Sequence, residues 1–290
     1  MTKILVVRYR FIGDTILTIP FLRNLRKAYP DAQIDMMVGP VSGELLENCP
    51  YIDNLIYFDT TKKHRYENTQ AKKKSFLNYV SMLKNQNYDK AYVLKRSFSS
   101  ALLVFLAGIK RRIGFNTENR GFLLTQKVPY AKNKHEIDCF LDILREDDIP
   151  VHDDHLENWI SPKDISKIDD FFKTNRIGKN PRVLIHATSG NINKQWPVMY
   201  FAKIIEYLAN EKKAQIFYTG TKTDREVYKE IHSLIEKSLC VTPVNLCGKL
   251  NLNQSAALTS MMDIVIGCDS GNLHIAASLN VPVIGIYGPM

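Results

Sequence analysis

Short runs of consecutive apolar residues alternate along this chain with longer stretches in which apolar positions return every three or four residues. The first kind reads as buried strand and the second as amphipathic helix. Lys3–Tyr9 opens as strand. Asp14–Tyr29 follows as helix, with Ile16, Leu17, Phe21, Leu22 and Leu25 along one face and Pro20 predicting a kink or a late start. Strands at Gln33–Val38, Leu55–Phe58, Lys90–Leu94 and Arg112–Phe115 then alternate with helices near Val41–Asn48, Ser75–Lys84, Ser99–Ala107 and Lys134–Glu146. Periodicity fades over Asp147–Ser161, the best linker in the chain. A second series runs helix Pro162–Thr174, strand Arg182–His186, helix Pro197–Asn210, strand Ala214–Thr219 and helices Asp224–Lys237 and Asn251–Met261. It closes on a strand, a helix and a strand. Such alternation predicts parallel sheets with helices on both faces: an α/β protein of two doubly wound domains, 1–160 and 161–290, with a cleft between them.

Composition changes this picture little. The 290 residues suffice for two domains, and the apolar and charged fractions are ordinary. The net charge of +9 fits either an anionic partner or a merely basic surface. The strongly basic Thr61–Lys74 is a solvated loop or a lip that meets anionic acceptor or lipid headgroups. Cys49, Cys139, Cys240, Cys247 and Cys268 are scattered, without zinc-site spacing, and read as reduced thiols of a cytoplasmic protein. The N-terminus becomes charged too soon for a signal peptide, and no apolar run is long enough to span a bilayer.

Candidate chemistry lies where strands end and helices begin, the edge at which open α/β sheets bind ligands. In Arg10-Phe-Ile-Gly-Asp-Thr15, Gly13 allows close backbone approach, and Asp14 either caps the helix or serves as a general base. In His186-Ala-Thr-Ser-Gly-Asn-Ile-Asn-Lys-Gln-Trp-Pro197, the residues Thr188, Ser189 and Lys194 are potential phosphate donors; the alternative is an ordinary loop with a surface lysine. After the next strand, Gly220 and Asp224 flank a turn whose carboxylate either caps its helix or accepts from ribose hydroxyls. Asp269, Ser270 and Gly271 open the last helix, where a helix N-terminus favours an anionic group; His274, four residues after Ser270, shares its face, while Leu273, Ala276 and Ala277 face the core.

Other chemistries find no support. No Gly-x-Gly-x-x-Gly follows the first strand, no Gly-Lys-Ser/Thr forms a P-loop, and neither His-Glu-x-x-His nor Gly-x-Ser-x-Gly occurs. His152-Asp-Asp-His155 has metal-like letters but lies in the linker. The basic segments lack the aromatic pattern of a base-stacking surface, so no nucleic-acid partner is expected.

Together the motifs resemble glycosyltransferase family 9, the heptosyltransferases of lipopolysaccharide core assembly. The resemblance covers nearly the whole chain. It rests on the Arg8–Pro30 stretch, Arg111-Arg-Ile-Gly-Phe115, His135–Leu144, Lys194-Gln-Trp-Pro197, Tyr218-Thr-Gly220, Asn245–Lys249, Asp269-Ser-Gly-Asn-Leu-His274 and Tyr287-Gly-Pro289 in that order. It implies a GT-B fold: two Rossmann-like domains, the acceptor site on the first and the nucleotide-sugar site on the second. It also implies inverting transfer of heptose from ADP-heptose to the inner core of lipopolysaccharide, with no metal or other cofactor. Asp14 then matches the base, Lys194 the lysine on the donor phosphates, Asp224 the acidic position near the ribose, and Asp269, Ser270, Gly271 and His274 the phosphate-site segment; Arg10, Gly13 and Arg96 are candidates for the acceptor. A lipid-anchored acceptor implies peripheral contact with the cytoplasmic face of the inner membrane. Family members continue past the Gly-Pro turn, so the end at Met290 leads to the expectation of a truncated second domain. The alternatives are a family 9 transferase for another sugar nucleotide and a non-catalytic nucleotide-sugar-binding homologue.

Overall fold

In a computed structural model the chain divides into two compact units, Met1–Leu156 and Glu157–Met290. The structure describes residues 1–59 and 74–288, so most of the basic Thr61–Lys74 segment, with Pro289 and Met290, lies outside the described residues.

The first unit is built on six parallel strands: β1 (Lys3–Val7), β2 (Gln33–Val38), β3 (Asn54–Tyr57), β4 (Lys90–Val93), β5 (Arg111–Phe115) and β6 (Gln126–Val128). They lie in the order β3-β2-β1-β4-β5-β6. The order reverses between β1 and β4, which pair directly with Val7 opposite Val93. The interior strands are buried on both faces because helices cover both. Leu5, Val7, Ala91 and Val93 face helices α3 (Phe76–Gln86) and α4 (Phe98–Leu106). On the other face, α2 (Ile19–Ala28) packs beside α5 (Glu136–Glu146), and Phe21 of α2 meets Tyr92 of β4 edge to face at 5.4 Å.

The expected helix 14–29 is two helices, α1 (Ile12–Ile16) and then α2. Pro20 has no N–H to give, and it sits in the first turn of α2, where none is needed. Near Val41–Asn48 the chain makes only a 3-10 turn, Ser42–Leu46.

The linker is tied down at both ends of its first half. Asp147, buried, accepts from Lys90 Nζ at 2.6 Å and Tyr92 Oη at 2.5 Å, and pairs with Arg111. Asp153 accepts from Arg23 Nε at 2.7 Å and Lys27 Nζ at 2.9 Å. The metal-like letters at 152–155 therefore serve to strap the chain onto α2. Among the described residues no group of His, Cys, Asp and Glu is placed to hold a metal ion.

The second unit repeats the plan with β7 (Arg182–His186), β8 (Gln215–Tyr218), β9 (Val244–Asn245), β10 (Ile264–Cys268) and β11 (Val283–Ile286), all parallel in the order β11-β10-β7-β8-β9. Its helices are α6 (Pro162–Thr174), α7 (Val198–Asn210), α8 (Asp224–Ser233), α9 (Leu252–Ser260) and α10 (Gly271–Ser278). Two starts carry side-chain caps: Ser161 Oγ accepts from Asp164 N at α6, and Asn251 with Gln254 forms a reciprocal box at α9. Val183, Ile185, Ile216 and Tyr218 pack under α7 and α8, and Leu184, Phe217 and Val265 under α6, α9 and α10. Here the reversal falls between β7 and β10. No helix among the described residues is long and apolar enough to cross a membrane.

Candidate functional site

Each unit gathers its sequence-predicted residues at the carboxyl edge of its own sheet, beside its own reversal point. In the first unit the loop after β1 carries Arg8, Arg10 and, in α1, Gly13 and Asp14. The loop after β4 carries Lys95 and Arg96. Asp14 Oδ2 accepts the Phe11 N–H at 2.8 Å and pairs with Arg8 Nη2 at 2.7 Å. Arg8 is buried, whereas a quarter of the Asp14 side chain meets solvent. Both interactions use one oxygen, so Oδ1 remains available to a ligand hydroxyl. Gly13 is buried in α1.

Cations crowd this edge. Burial pushes the Lys95 ammonium below the usual lysine range. The Arg8, Arg10 and Arg96 charges push the same way, and Asp14 opposes them. Lys95 Nζ lies 6.0 Å from the centroid of the Phe11 ring, which is 70% exposed. Arg96 stacks over Tyr130 at 4.0 Å and faces Glu136 at 3.7 Å. Arg120, fully buried, donates to the carbonyls of Phe115, Lys95 and Ser97 and so fixes the β4 loop. Arg8, Lys95 and Phe11 are additions to the sequence-predicted set. Arg8 and Lys95 follow apolar strand residues and give no signal of their own until β1 and β4 are known to be neighbours.

In the second unit the loop after β7 meets the start of α10. Lys194 Nζ donates to Asp269 Oδ2 at 2.5 Å, Ser189 Oγ donates to the Asp269 carbonyl at 2.7 Å, and Gln195 Nε2 donates to the Ser189 carbonyl at 3.0 Å. Thr188 is buried beside them. The closing turn lies against the same loop: a Cβ on Gly288 would sit 2.7 Å from the Asn193 carbonyl oxygen, so only glycine fits. Ser270 is the extended residue preceding α10; its Oγ is buried and makes no hydrogen bond. Gly271 is the first helical residue, and His274 lies one turn on, partly buried. On this helix Ile275, with Leu273 and Ala276, takes the core face, and Ala277 is exposed, because the inward stripe is centred one position earlier than expected.

The loop after β8 adjoins this arrangement through Asn272, another residue that the motif reading passed over. Its Nδ2 lies 2.7 Å from His186 Nδ1 and 3.2 Å from Thr219 Oγ1. Gly220 adopts φ +153, and a Cβ there would collide with Asp224 Oδ2 at 2.6 Å. Asp224 itself is buried; Oδ2 accepts from Thr221 N at 2.6 Å and Thr221 Oγ1 at 2.7 Å. It holds its own turn, the first of the two alternatives the sequence allows.

The first edge therefore offers a fixed carboxylate among cations, suited to removing a proton beside an anionic group. The second offers hydroxyls, one lysine and the amino end of a helix, suited to a phosphate-bearing ligand.

Known proteins resemble the chain in sequence and in fold. The family model described as "Glycosyltransferase family 9 (heptosyltransferase)" matches residues 77–290. The lipopolysaccharide core heptosyltransferase OpsX of Haemophilus influenzae is 27% identical over 97% of this chain and 78% of its own length. The lipopolysaccharide heptosyltransferase 2 of Escherichia coli is 28% identical over 99% and 83%. Among solved structures, the E. coli ADP-heptose lps heptosyltransferase II superposes with a TM-score of 0.81 at 25% identity, over 100% of this chain and 86% of that one. The two parallel-sheet units are the Rossmann-like domains of the GT-B class, and the chain belongs to glycosyltransferase family 9, the heptosyltransferases.

Proposed function

We propose that the protein transfers heptose from ADP-heptose to the inner core of lipopolysaccharide, with inversion at the anomeric carbon. The choice of sugar and acceptor is supported by family membership and by the names of the relatives. The observation that carries the chemistry is Asp14, a partly exposed carboxylate held by a backbone N–H and a buried arginine, with one oxygen left open.

Asp14 Oδ1 takes the proton of an acceptor hydroxyl as that oxygen attacks the anomeric carbon and the bond to the diphosphate breaks. ADP departs carrying the negative charge. Lys194 and the amino end of α10 stabilise that charge, with Ser189 and the unpartnered Ser270 hydroxyl as further donors. Lys194 exchanges Asp269 for the diphosphate. Thr188 shapes the loop, and His274 faces the phosphates from the second turn of α10. Asp224 and Gly220 hold the turn that receives the ribose. Arg10 and Arg96, with Gly13 giving close approach, meet the anionic acceptor. These groups supply the charge stabilisation that a metal supplies elsewhere, so the reaction is proposed to be metal-independent.

The test is incubation with ADP-heptose and a Kdo-bearing or extended inner-core acceptor, read by mass spectrometry for the added heptose and by NMR for the anomeric configuration. Transfer with inversion that survives EDTA is expected. Retention of configuration or loss of turnover on chelation overturns the mechanism. Turnover with another sugar nucleotide and none with ADP-heptose overturns the donor.

A further inference from the structure

Helix α4 has an apolar outer face. Its sequence, Phe98-Ser-Ser-Ala-Leu-Leu-Val-Phe-Leu106, contains no charge. Ala101, Leu103 and Val104 point inward and are buried. The opposite side carries Phe98, Phe105 and Leu106, each about two-fifths exposed, with Leu102 partly buried against the core. Phe122, 71% exposed, adds its ring 6.2 Å from that of Phe98. A surface helix ordinarily turns polar side chains to water; this one presents three large apolar side chains.

The charge around that face is one-sided. From Lys90 to His135 the sequence holds ten Lys and Arg residues and a single acidic one, Glu118. Of these, Lys90 and Arg111 pair with Asp147, Arg96 with Glu136 and Lys134 with Asp142, and Arg120 is buried; Lys110, Arg112 and Lys127 remain for the α4 face. Glu118 is committed to the Phe98 N–H at 2.7 Å. The Arg112 guanidinium lies 5.3 Å over the Phe105 ring, Lys110 is exposed just beyond the helix, and Lys127 runs beside Gly121, the neighbour of Phe122.

An anion in water would satisfy the cations and leave the apolar face wet. A second copy would bring the same positive fringe against itself. An anionic bilayer satisfies both, with aromatic and leucine side chains at the headgroup boundary and Lys and Arg against lipid phosphates. We propose that the outer face of α4, with Phe122, seats the first unit on an anionic lipid surface. The face begins two residues after Arg96, at the edge that holds Asp14, so docking there presents that edge to a lipid-anchored acceptor. The inference stands on α4 and its charges and does not depend on which sugar is transferred.

The full chain is mixed with sucrose-loaded vesicles, either phosphatidylglycerol with phosphatidylethanolamine or phosphatidylcholine alone, and sedimented. Selective binding to the anionic vesicles is expected. A Leu106→Ser/Phe122→Ser variant should partition about tenfold more weakly, and Lys110→Glu/Lys127→Glu should lose the anionic preference. Thermal melting checks folding, and Phe122→Ser alone replaces the double variant if that melts early. No vesicle binding, or equal binding by wild type and folded variants, overturns the proposal. So does a concentration-dependent dimer in light scattering that Phe122→Ser abolishes. Heptosyl transfer to a deacylated, water-soluble acceptor is measured in parallel: vesicle binding without transfer refutes the functional reading and leaves this one standing, and transfer without vesicle binding does the reverse.

Discussion

The two sheets are close topological copies, yet their carboxyl edges carry opposite kinds of chemistry. At the β1–β4 edge the proposed base is a full charge held still. Asp14 is fixed by the Phe11 N–H and by a buried arginine, with Lys95 and Arg96 on the next loop. At the β7–β10 edge the Lys194–Asp269 ion pair sits among hydroxyls, an amide, two histidines and a helix start, with the Asp224 carboxylate turned onto its own loop. The same architecture supplies a place for a site and leaves the chemistry to a few loop residues. A charged edge can move a proton; a dipolar one can hold a diphosphate whose charge grows as it leaves.

Asp14→Asn breaks the comparison most sharply. The amide keeps the size of the side chain and can still accept from Phe11 N, but it cannot take a proton. Turnover should fall about 10²–10⁴-fold, the usual range for a positioned base. ADP affinity, measured by calorimetry, should be unchanged. A comparable loss of ADP affinity would show that the edges are not separate in function.

Lys194→Ala tests the other edge and should act in the opposite way. ADP binding should weaken about tenfold to a hundredfold, because one charge-assisted contact to phosphate is lost. Asp269 is also left without its partner at 2.5 Å, and its charge then faces the diphosphate directly. The double variant Lys194→Ala/Asp269→Asn should recover part of the affinity; no recovery would argue that the lysine acts only on the ligand. Arg8→Met should have a smaller effect, about tenfold on turnover with the donor KM unchanged, since Asp14 keeps its backbone tie and loses only its second anchor.

The sequence announces some of this and hides the rest for physical reasons. Interior strands are legible because burial on both faces demands uninterrupted apolar runs, as in Leu5–Val7 or Val183–Ile185. The edge strands β6 and β9 escape notice: they have three and two residues, and Gln126, Lys127 and Asn245 are polar. Pro20 signals a break in the first helix, but the sequence does not say that a separate five-residue helix would carry Asp14. The second edge is readable in Asp269-Ser-Gly271 because a buried strand runs straight into small polar residues. At the first edge Asp14 is readable and its partner is not. Arg8 looks like any basic residue ending a strand, and only the return of the chain through α1 brings a carboxylate 2.7 Å from its guanidinium.

Lys95 sharpens the comparison with the smallest effect, and its sign is opposite to that of the other substitutions. Burial, then Arg8, lowers the pKa of its ammonium, so the folded state holds this charge at a cost. A lysine whose pKa is depressed by folding binds its proton less well folded than unfolded. Stability therefore rises with pH as the ammonium is lost, and the cost is fully present below the folded pKa. Lys95→Met should raise the melting temperature at neutral pH, and the gain over wild type should shrink as pH approaches the range of an unperturbed lysine. Arg8, which pairs with Asp14, offers no such gain when replaced. A melting temperature unchanged or lowered by Lys95→Met at neutral pH would mean that attraction to Asp14 outweighs burial. The first edge would then be a balanced pair of charges rather than a carboxylate set among surplus cations, and much of its contrast with the second would disappear.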